Sequence, residues 1–266
     1  MADGGGIEDE PGTGLEAERL EAERLAILAA THDHGSARLI TRLGIRVGWR
    51  CLEVGTGQGS MARWLAEAVG AGGEVLATDL DLRFVGDGPD HLTFRRHDIG
   101  TDPLPTAYFD LAHARGVLQS MPQREQAVTN MTRAVHPGGW VVVEDVDWQV
   151  FDEQTLPEPF GELHRAARTA SAELLGYDPF WGRRVLGVLG DAGLTELASR
   201  GRVTTMYGGT PSAEWYILAL ERNGSALVAA GLMDAATIAE AIDQARSPEF
   251  VVLGPLEISA WGQVPD

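Results

Sequence analysis

From Trp49 to Asp147, short apolar runs alternate with amphipathic stretches, and no other feature of this 266-residue sequence constrains the fold as strongly. Such alternation is the pattern of strands and helices taken in turn, with helices covering both faces of a sheet. The runs RCLEV, EVLATD, LTFRRHD, FDLAHA and WVVVEDV predict five strands. Between them, SMARWLAEAV places Met61, Leu65, Ala68 and Val69 on one helix face and closes at Gly70, and QREQAVTNMTRAV predicts another helix. HPGGW reads as a turn leading into the fifth strand.

The flanks differ in character. MADGGGIEDEPGTG is Gly-rich and acidic, with too little apolar surface to offset the entropy of ordering, and predicts a disordered tail. LEAERLEAERLAILAA predicts a helix, its Glu16–Arg19 and Glu21–Arg24 pairs set three residues apart, and a second helix is expected through SARLITRLG after the His32-Asp33-His34 cluster. Past Asp147 the alternation lapses, and Pro157, Pro159 and the helical stretch GELHRAARTASAELLG mark an insertion at the carboxyl edge of the sheet. It resumes with RRVLGVLGDAGL as a helix ended by Gly193, ELASRGRVTTMYG as a strand, SAEWYILALERN and MDAATIAEAIDQARS as helices, and FVVLGPLEISAWG as a last strand, which predicts an antiparallel edge. The chain therefore divides into a tail (1–14), an N-terminal helical lid (15–47), a core (48–147), an inserted cap (148–182) and a C-terminal remainder of the core with a helical insertion (183–266).

A hydrophobic content of 44% is ample for a buried core, and a net charge of −18, from 39 acidic residues against 21 Lys and Arg, argues against nucleic acid or an anionic membrane as the partner. No apolar run approaches the ~20 residues that span a bilayer, and the amino end lacks a secretion signal, so a cytoplasmic location is expected. The single cysteine, Cys51, reads as a small buried side chain.

The first predicted strand runs into EVGTGQGS, residues 53–60. A strand that ends in a Gly-rich turn and opens a helix is a general device for holding a nucleotide or an anion, because glycine permits close backbone approach and the helix amino end supplies free N–H groups. The spacing Gly55, Gly57, Gly59 departs from the G-x-G-x-x-G of dinucleotide-binding proteins, since Ser60 stands where the third glycine belongs, and no Lys follows to make a phosphate loop. With Glu53 ahead of the turn and Asp79 closing the next strand, the sequence resembles the class I S-adenosylmethionine-dependent methyltransferases. RRHDI, FDLAHARGVL and PGGWVVVEDVDW extend the likeness from about Trp49 to Asp145, and their order is similar to that of bacterial small-molecule methyltransferases.

The resemblance implies a three-layer α/β fold, Rossmann-like, with a seven-stranded, mostly parallel sheet in the order 3-2-1-4-5-7-6 and an antiparallel last strand, under a helical cap. It implies S-adenosylmethionine as cofactor, S-adenosylhomocysteine as its product, and transfer of methyl to O, N or C of a small metabolite, with natural-product biosynthesis as one setting. Cofactor contacts are expected from Glu53, Gly55, Thr56, Gly57, Gln58, Gly59, Ser60, Asp79, Leu80, His97, Asp98, Ile99, Ala114, Arg115 and Gln119. Glu53 would meet the ammonium, Asp79 the two ribose hydroxyls, Asp98 the adenine amino group and the backbone at Ala114 and Arg115 the amino acid head. Plainer roles stand beside these: Asp79 as a helix cap, Asp98 as a turn closer, Arg115 in a surface ion pair.

Many such enzymes carry a His shortly after the fourth strand, where this chain has Leu118-Gln119-Ser120-Met121-Pro122. Candidate bases are instead His113, Glu144 and Asp145, with a satisfied core histidine as the competing role of His113. His32, Asp147, Trp148, Tyr177 and Trp181 are candidate acceptor contacts; His164 and Phe180 share the inserted segment, where aromatics commonly serve packing. His32 and His34 sit two residues apart, which separates them on a helix, and no Cys or carboxylate cluster completes a metal sphere. A monomer or homodimer is expected. A nicotinamide-dependent oxidoreductase, or a protein of this fold with non-methylating chemistry, is the alternative.

Overall fold

The computed structural model describes residues 11–266. Seven strands, β1 (Arg50–Val54), β2 (Glu74–Asp79), β3 (Leu92–Arg96), β4 (Phe109–Arg115), β5 (Val135–Asp147), β6 (Thr195–Tyr207) and β7 (Val251–Gln263), form one sheet in the order β3-β2-β1-β4-β5-β7-β6. β1 to β5 run parallel, and β7 is antiparallel to both β5 and β6. The predicted order thus holds, with antiparallel β7 between β5 and β6 and β6 outermost.

Eight helices cover the sheet: α1 (Pro11–Arg42), α2 (Ser60–Val69), α3 (Arg124–Ala134), α4 (Gln149–Asp152), α5 (Phe160–Leu175), α6 (Trp181–Asp191), α7 (Pro211–Ala229) and α8 (Ala235–Arg246). Side chains alternate across the strands and sort into two cores. On one face Leu52, Val54, Ala112, Ala114, Val141 and Val143 meet α3 and α6. On the other, Cys51, Val75, Ala77, Leu111 and Val142 meet α2 and the end of α1. Burial on both sides explains why these strands read as near-continuous apolar runs. A third core joins α4, α5, α7 and α8 to Met206 and Val252 near one end of β6 and β7. The cap is therefore built from two sequence segments, the insertion after β5 and the helices between β6 and β7.

Three expectations need correction. The lid is one helix, α1, and not two; Gly35 in its interior costs about 1 kcal/mol of helix propensity, yet its carbonyl accepts from Arg200 of β6 at 2.7 Å. Residues 1–10 of the expected tail lie outside the described residues, and residues 11–14 already belong to α1. HPGGW is part of β5, whose register against β4 shifts between Phe109 and Leu111, so the Gly pair makes an irregularity within a ladder. Elsewhere α2 closes at Gly70 as expected, with φ of 61°, while α7 opens on Pro211 and the Asp234 carboxylate caps α8 by accepting from Thr237 N at 3.0 Å.

Helix α6 approaches the sheet closely because Gly182 has no side chain. A Cβ there would lie 2.7 Å from the Val146 carbonyl carbon and 3.0 Å from Asp147 N, both backbone atoms that cannot swing aside. Gly187, on the same helix, would meet nothing within 4 Å. Gly182→Ala is expected to cost about 1–3 kcal/mol of stability by overpacking, whereas Gly187→Ala should gain about 0.5–1 kcal/mol. Urea unfolding of the two variants checks this, and equal effects would contradict the packing.

Candidate functional site

The carboxyl ends of β1 to β5 open into a single cavity of about 1430 Å³ beneath α1, α5 and α7. That exceeds the ~300–1,000 Å³ usual for one small ligand. It lies where the strand order reverses between β1 and β4, the usual position for ligands of open α/β sheets.

One end is the glycine turn. Gly55, Gly57 and Gly59 all hold positive φ, at 69°, 54° and 80°, conformations that side chains disfavour. Side chains there would also collide with Val117, Leu25 and Phe94, respectively. Gly55 and Thr56 donate to the Thr78 carbonyl at 2.8 and 2.9 Å, which ties the turn to β2. Asp79 ends β2, and its carboxylate accepts from Gly57 N at 2.9 Å and Asp81 N at 3.1 Å, leaving acceptor positions on both oxygens. Gln58 donates to the Ala22 carbonyl and so ties the turn to α1.

The expected cofactor residues separate into two groups. Gly55, Thr56, Gly57, Gln58, Ser60, Asp79, Leu80, His97, Asp98, Ile99, Arg115 and Gln119 line the cavity. Within it the Thr56 hydroxyl and both His97 ring nitrogens are buried without a protein partner, so polar ligand atoms suit this wall. Leu80 remains 59% exposed, an apolar side chain at the same end with nothing over it. Asp98 accepts from Gly100 N at 2.8 Å, the turn closure foreseen as its plainer role. Gly59 and Ala114 do not line the cavity: Gly59 faces Phe94 and Ala114 sits in the core. Glu53 is 3% exposed, with Oε2 engaged by His113, and does not line the cavity.

His113 is fully buried. Its Nδ1 lies 2.6 Å from Glu53 Oε2 and its Nε2 lies 3.1 Å from Glu144 Oε2. The arrangement follows from register, since Glu53 pairs with His113 across β1 and β4 and shares its face of the sheet. A second rung crosses four strands, with Arg115 opposite Glu144, Glu144 opposite Ser259 and Ser259 opposite Arg200. Helix α1 closes it: Ser36 donates to Glu144, and Arg115 pairs with Asp33 and donates to Ser36 Oγ at 2.9 Å. Burial alone would depress the His113 pKa, but the charge of Glu53 and the hydrogen bonds of both carboxylates outweigh it and raise it to about 9. Burial likewise works to raise Glu144, and His113, Ser259 and Ser36 bring it down to about 2. With both ring nitrogens engaged and no surface on the cavity, His113 has the satisfied core role and is not placed to serve as a base.

Asp145, the next residue, points to the opposite face and lines the cavity. It is 4% exposed, and neither carboxylate oxygen has a partner. Burial drives its pKa up to about 8; backbone N–H groups at Gln119 and Leu118 and the Trp181 indole temper that shift without closing a hydrogen bond. Beyond it stands an aromatic wall. Trp148 donates its indole N–H to the Tyr177 hydroxyl at 2.7 Å, and Trp148 and Tyr216 lie 4.7 Å apart, ring centre to ring centre. Trp215 and Arg168 complete that end, with Arg168 ion-paired to Asp152.

Of the expected acceptor contacts, His32, Trp148 and Tyr177 line the cavity. Trp181 and Asp147 do not. Trp181 belongs to α6 and is fully buried in the sheet core, and Asp147 is turned into an ion pair with Arg183 at 2.7 Å. His164 is buried too, between Tyr216 at 2.6 Å and Asp152 at 2.8 Å. Trp215, Tyr216 and Arg168 were missed. The adjacent Trp-Tyr pair in SAEWYILALERN was the available signal, but only tertiary structure brings α7 over the end of β5. Among the described residues, no three or more His, Cys, Asp or Glu side chains are grouped to hold a metal ion, and no helix is long and apolar enough to cross a membrane.

The charged pair sets a pH window. Glu144, lowered from 4.5 to about 2, stabilises the fold above pH 4.5 and loses that contribution as pH falls through about 2. His113, raised from 6.5 to about 9, contributes fully below pH 6.5 and loses it as pH rises through about 9. His113→Gln should cost about 3–5 kcal/mol near pH 6 by stranding buried carboxylates. Thermal melts from pH 5 to 10 should show the alkaline loss near pH 9 in the native chain and not in the variant; the same loss in both would contradict the assignment.

Comparison with known proteins agrees with this geometry. Residues 52–143 match the methyltransferase domain family. The ubiquinone/menaquinone biosynthesis C-methyltransferase UbiE of Bordetella parapertussis is 31% identical over 134 residues, which is 48% of this chain and 52% of that protein. The chain thus matches about half the length of such curated relatives. Among solved structures, the YcgJ protein of Bacillus subtilis superposes with a TM-score of 0.58 at 15% identity, covering 88% of this chain and 99% of the other. Phosphoethanolamine N-methyltransferase 2 of Haemonchus contortus, solved with phosphomonomethylethanolamine and S-adenosylhomocysteine, gives 0.55 at 17% identity over 92% of this chain and 52% of its own. Residues 52–143 thus match a methyltransferase domain, and the sheet order and glycine turn around them are similar to those of the class I S-adenosylmethionine-dependent methyltransferases.

Proposed function

We propose that this chain transfers the methyl group of S-adenosylmethionine to a small molecule held in the aromatic end of the cavity. The observation that carries the reading is the continuity of one large cavity from the glycine turn, past Asp145, to Trp148 and Tyr177. The turn would cradle the amino acid part and ribose, Asp79 would accept from the ribose hydroxyls, and Leu80, His97, Asp98 and Ile99 would meet the base. Bound there, S-adenosylmethionine supplies a methyl group already activated on a sulfonium. The chain's own tasks are then to align the acceptor, to exclude water and to take up any proton the acceptor must lose. Helix α1 serves the second task by roofing the cavity and is fixed to the sheet by Ser36, Asp33 and Gly35.

The relatives support the class of reaction and leave the acceptor atom open, since UbiE is named for C-methylation and the Haemonchus enzyme for N-methylation. A small acceptor fits the enclosed, aromatic chamber and the chain's excess of acidic residues better than a nucleic acid would.

Calorimetric titration with S-adenosylhomocysteine should give one site per chain, with no comparable heat from NAD. Asp79→Ala should weaken that site at least tenfold, about 1.4 kcal/mol, by removing both ribose acceptors. Methyl-labelled S-adenosylmethionine should pass label to a component of a metabolite extract. Binding of NAD in place of S-adenosylhomocysteine would overturn the reading, and cofactor binding without label transfer would favour non-methylating chemistry.

A further inference from the structure

Asp145 is the one buried carboxylate among the described residues with neither oxygen partnered. Most of the charges around it are matched. Glu144 has His113, Ser36 and Ser259; Arg168 pairs with Asp152 through one terminal nitrogen, with its Nε left unpartnered; Arg202 and His32 share Glu257. A carboxylate buried in this way demands either a proton or a cationic partner, because its desolvation is otherwise uncompensated. The wall beyond it includes the aromatic side chains Trp148, Tyr177 and Tyr216, and aromatic rings attract cations over their faces. Tyr177 already accepts from Trp148, so its own O–H remains free to donate to a polar group on the ligand.

Resting on the methyltransferase reading above, we propose that the acceptor is a primary or secondary amine on an apolar body, bound as its ammonium ion by Asp145 against the Trp148 and Tyr177 rings. An anionic acceptor would be repelled by the Asp145 carboxylate. A carbon acceptor would leave the carboxylate without a donor. An ammonium ion supplies the missing charge and the missing N–H groups at once.

The same contact prepares the amine for reaction. An ammonium nitrogen has no lone pair. Transfer of one N–H proton to an Asp145 oxygen leaves the electron pair of that bond on nitrogen as the nucleophile, and the neutral carboxylic acid later returns the proton to water. The burial that raises the Asp145 pKa to about 8 brings it closer to that of an alkylammonium and makes the transfer less uphill.

The full chain, saturated with S-adenosylhomocysteine, is titrated with phenethylamine, tyramine, tryptamine and spermidine, and with 2-phenylethanol and 3-phenylpropanoate as neutral and anionic counterparts. At least one amine should bind ten times more tightly than both counterparts. Asp145→Asn, which keeps the shape and removes the charge, should abolish that preference while leaving S-adenosylhomocysteine affinity within twofold. No amine surpassing the alcohol on the native chain, or a preference that survives Asp145→Asn, overturns the proposal. The native comparison stands even if the variant fails to fold. Loss of S-adenosylhomocysteine binding by the native chain would strike the methyltransferase reading instead, so the two failures are distinguishable.

Discussion

The buried imidazole of His113, held between Glu53 and Glu144, is the interaction on which the rest of this structure depends. Three ionisable groups in a dry sheet face cost several kcal/mol each unless every one is matched. Only one arrangement of the chain matches them. β1 must pair with β4 so that Glu53 meets His113, β5 must bring Glu144 beside Arg115, β7 must offer Ser259, and α1 must lie across them with Ser36 and Asp33 facing down. A slip of one residue in any strand would turn its charged side chain to the opposite face. The network thus specifies the register of the sheet at its switch point and fastens the roof of the cavity to its floor.

Glu144 and Asp145 show how strongly the face of a strand governs chemistry. They are consecutive, with the same charge and comparable burial. Glu144 points to the α1 side and is drawn down to about pKa 2 by His113 and two hydroxyls. Asp145 points to the α6 side, meets no donor within hydrogen-bonding distance and is pushed up to about 8. The alternation that builds a two-faced core here yields one carboxylate held by three protein partners and one with none.

Much of this was legible from residue pattern alone. RCLEV and EVLATD coincide with β1 and β2, and the glycine spacing foresaw a turn that three positive φ angles now explain. What sequence could not supply was direction. Glu53 and His113 sit in apolar runs whose neighbours say nothing of the partner on the adjacent strand, so Glu53 read as a ligand contact and His113 as a base or a core histidine. Trp181 read as part of the cap because it follows the insertion, yet it begins the helix that packs on the sheet. The lid read as two helices parted at the His32-Asp33-His34 cluster, but it is one helix, held there by Arg115 and Arg200 reaching up from the sheet. These misreadings share one cause: long-range contacts, which leave no local periodicity.

A crystal structure of the full chain grown with S-adenosylhomocysteine tests the central claim most directly. The expected result is a nucleoside seated along Gly55–Ser60, its ribose on Asp79, its thioether turned toward the Asp145 end of the cavity, and the His113 network unchanged beneath it. A ligand bound elsewhere, or a glycine turn left bare at saturating concentration, would contradict it.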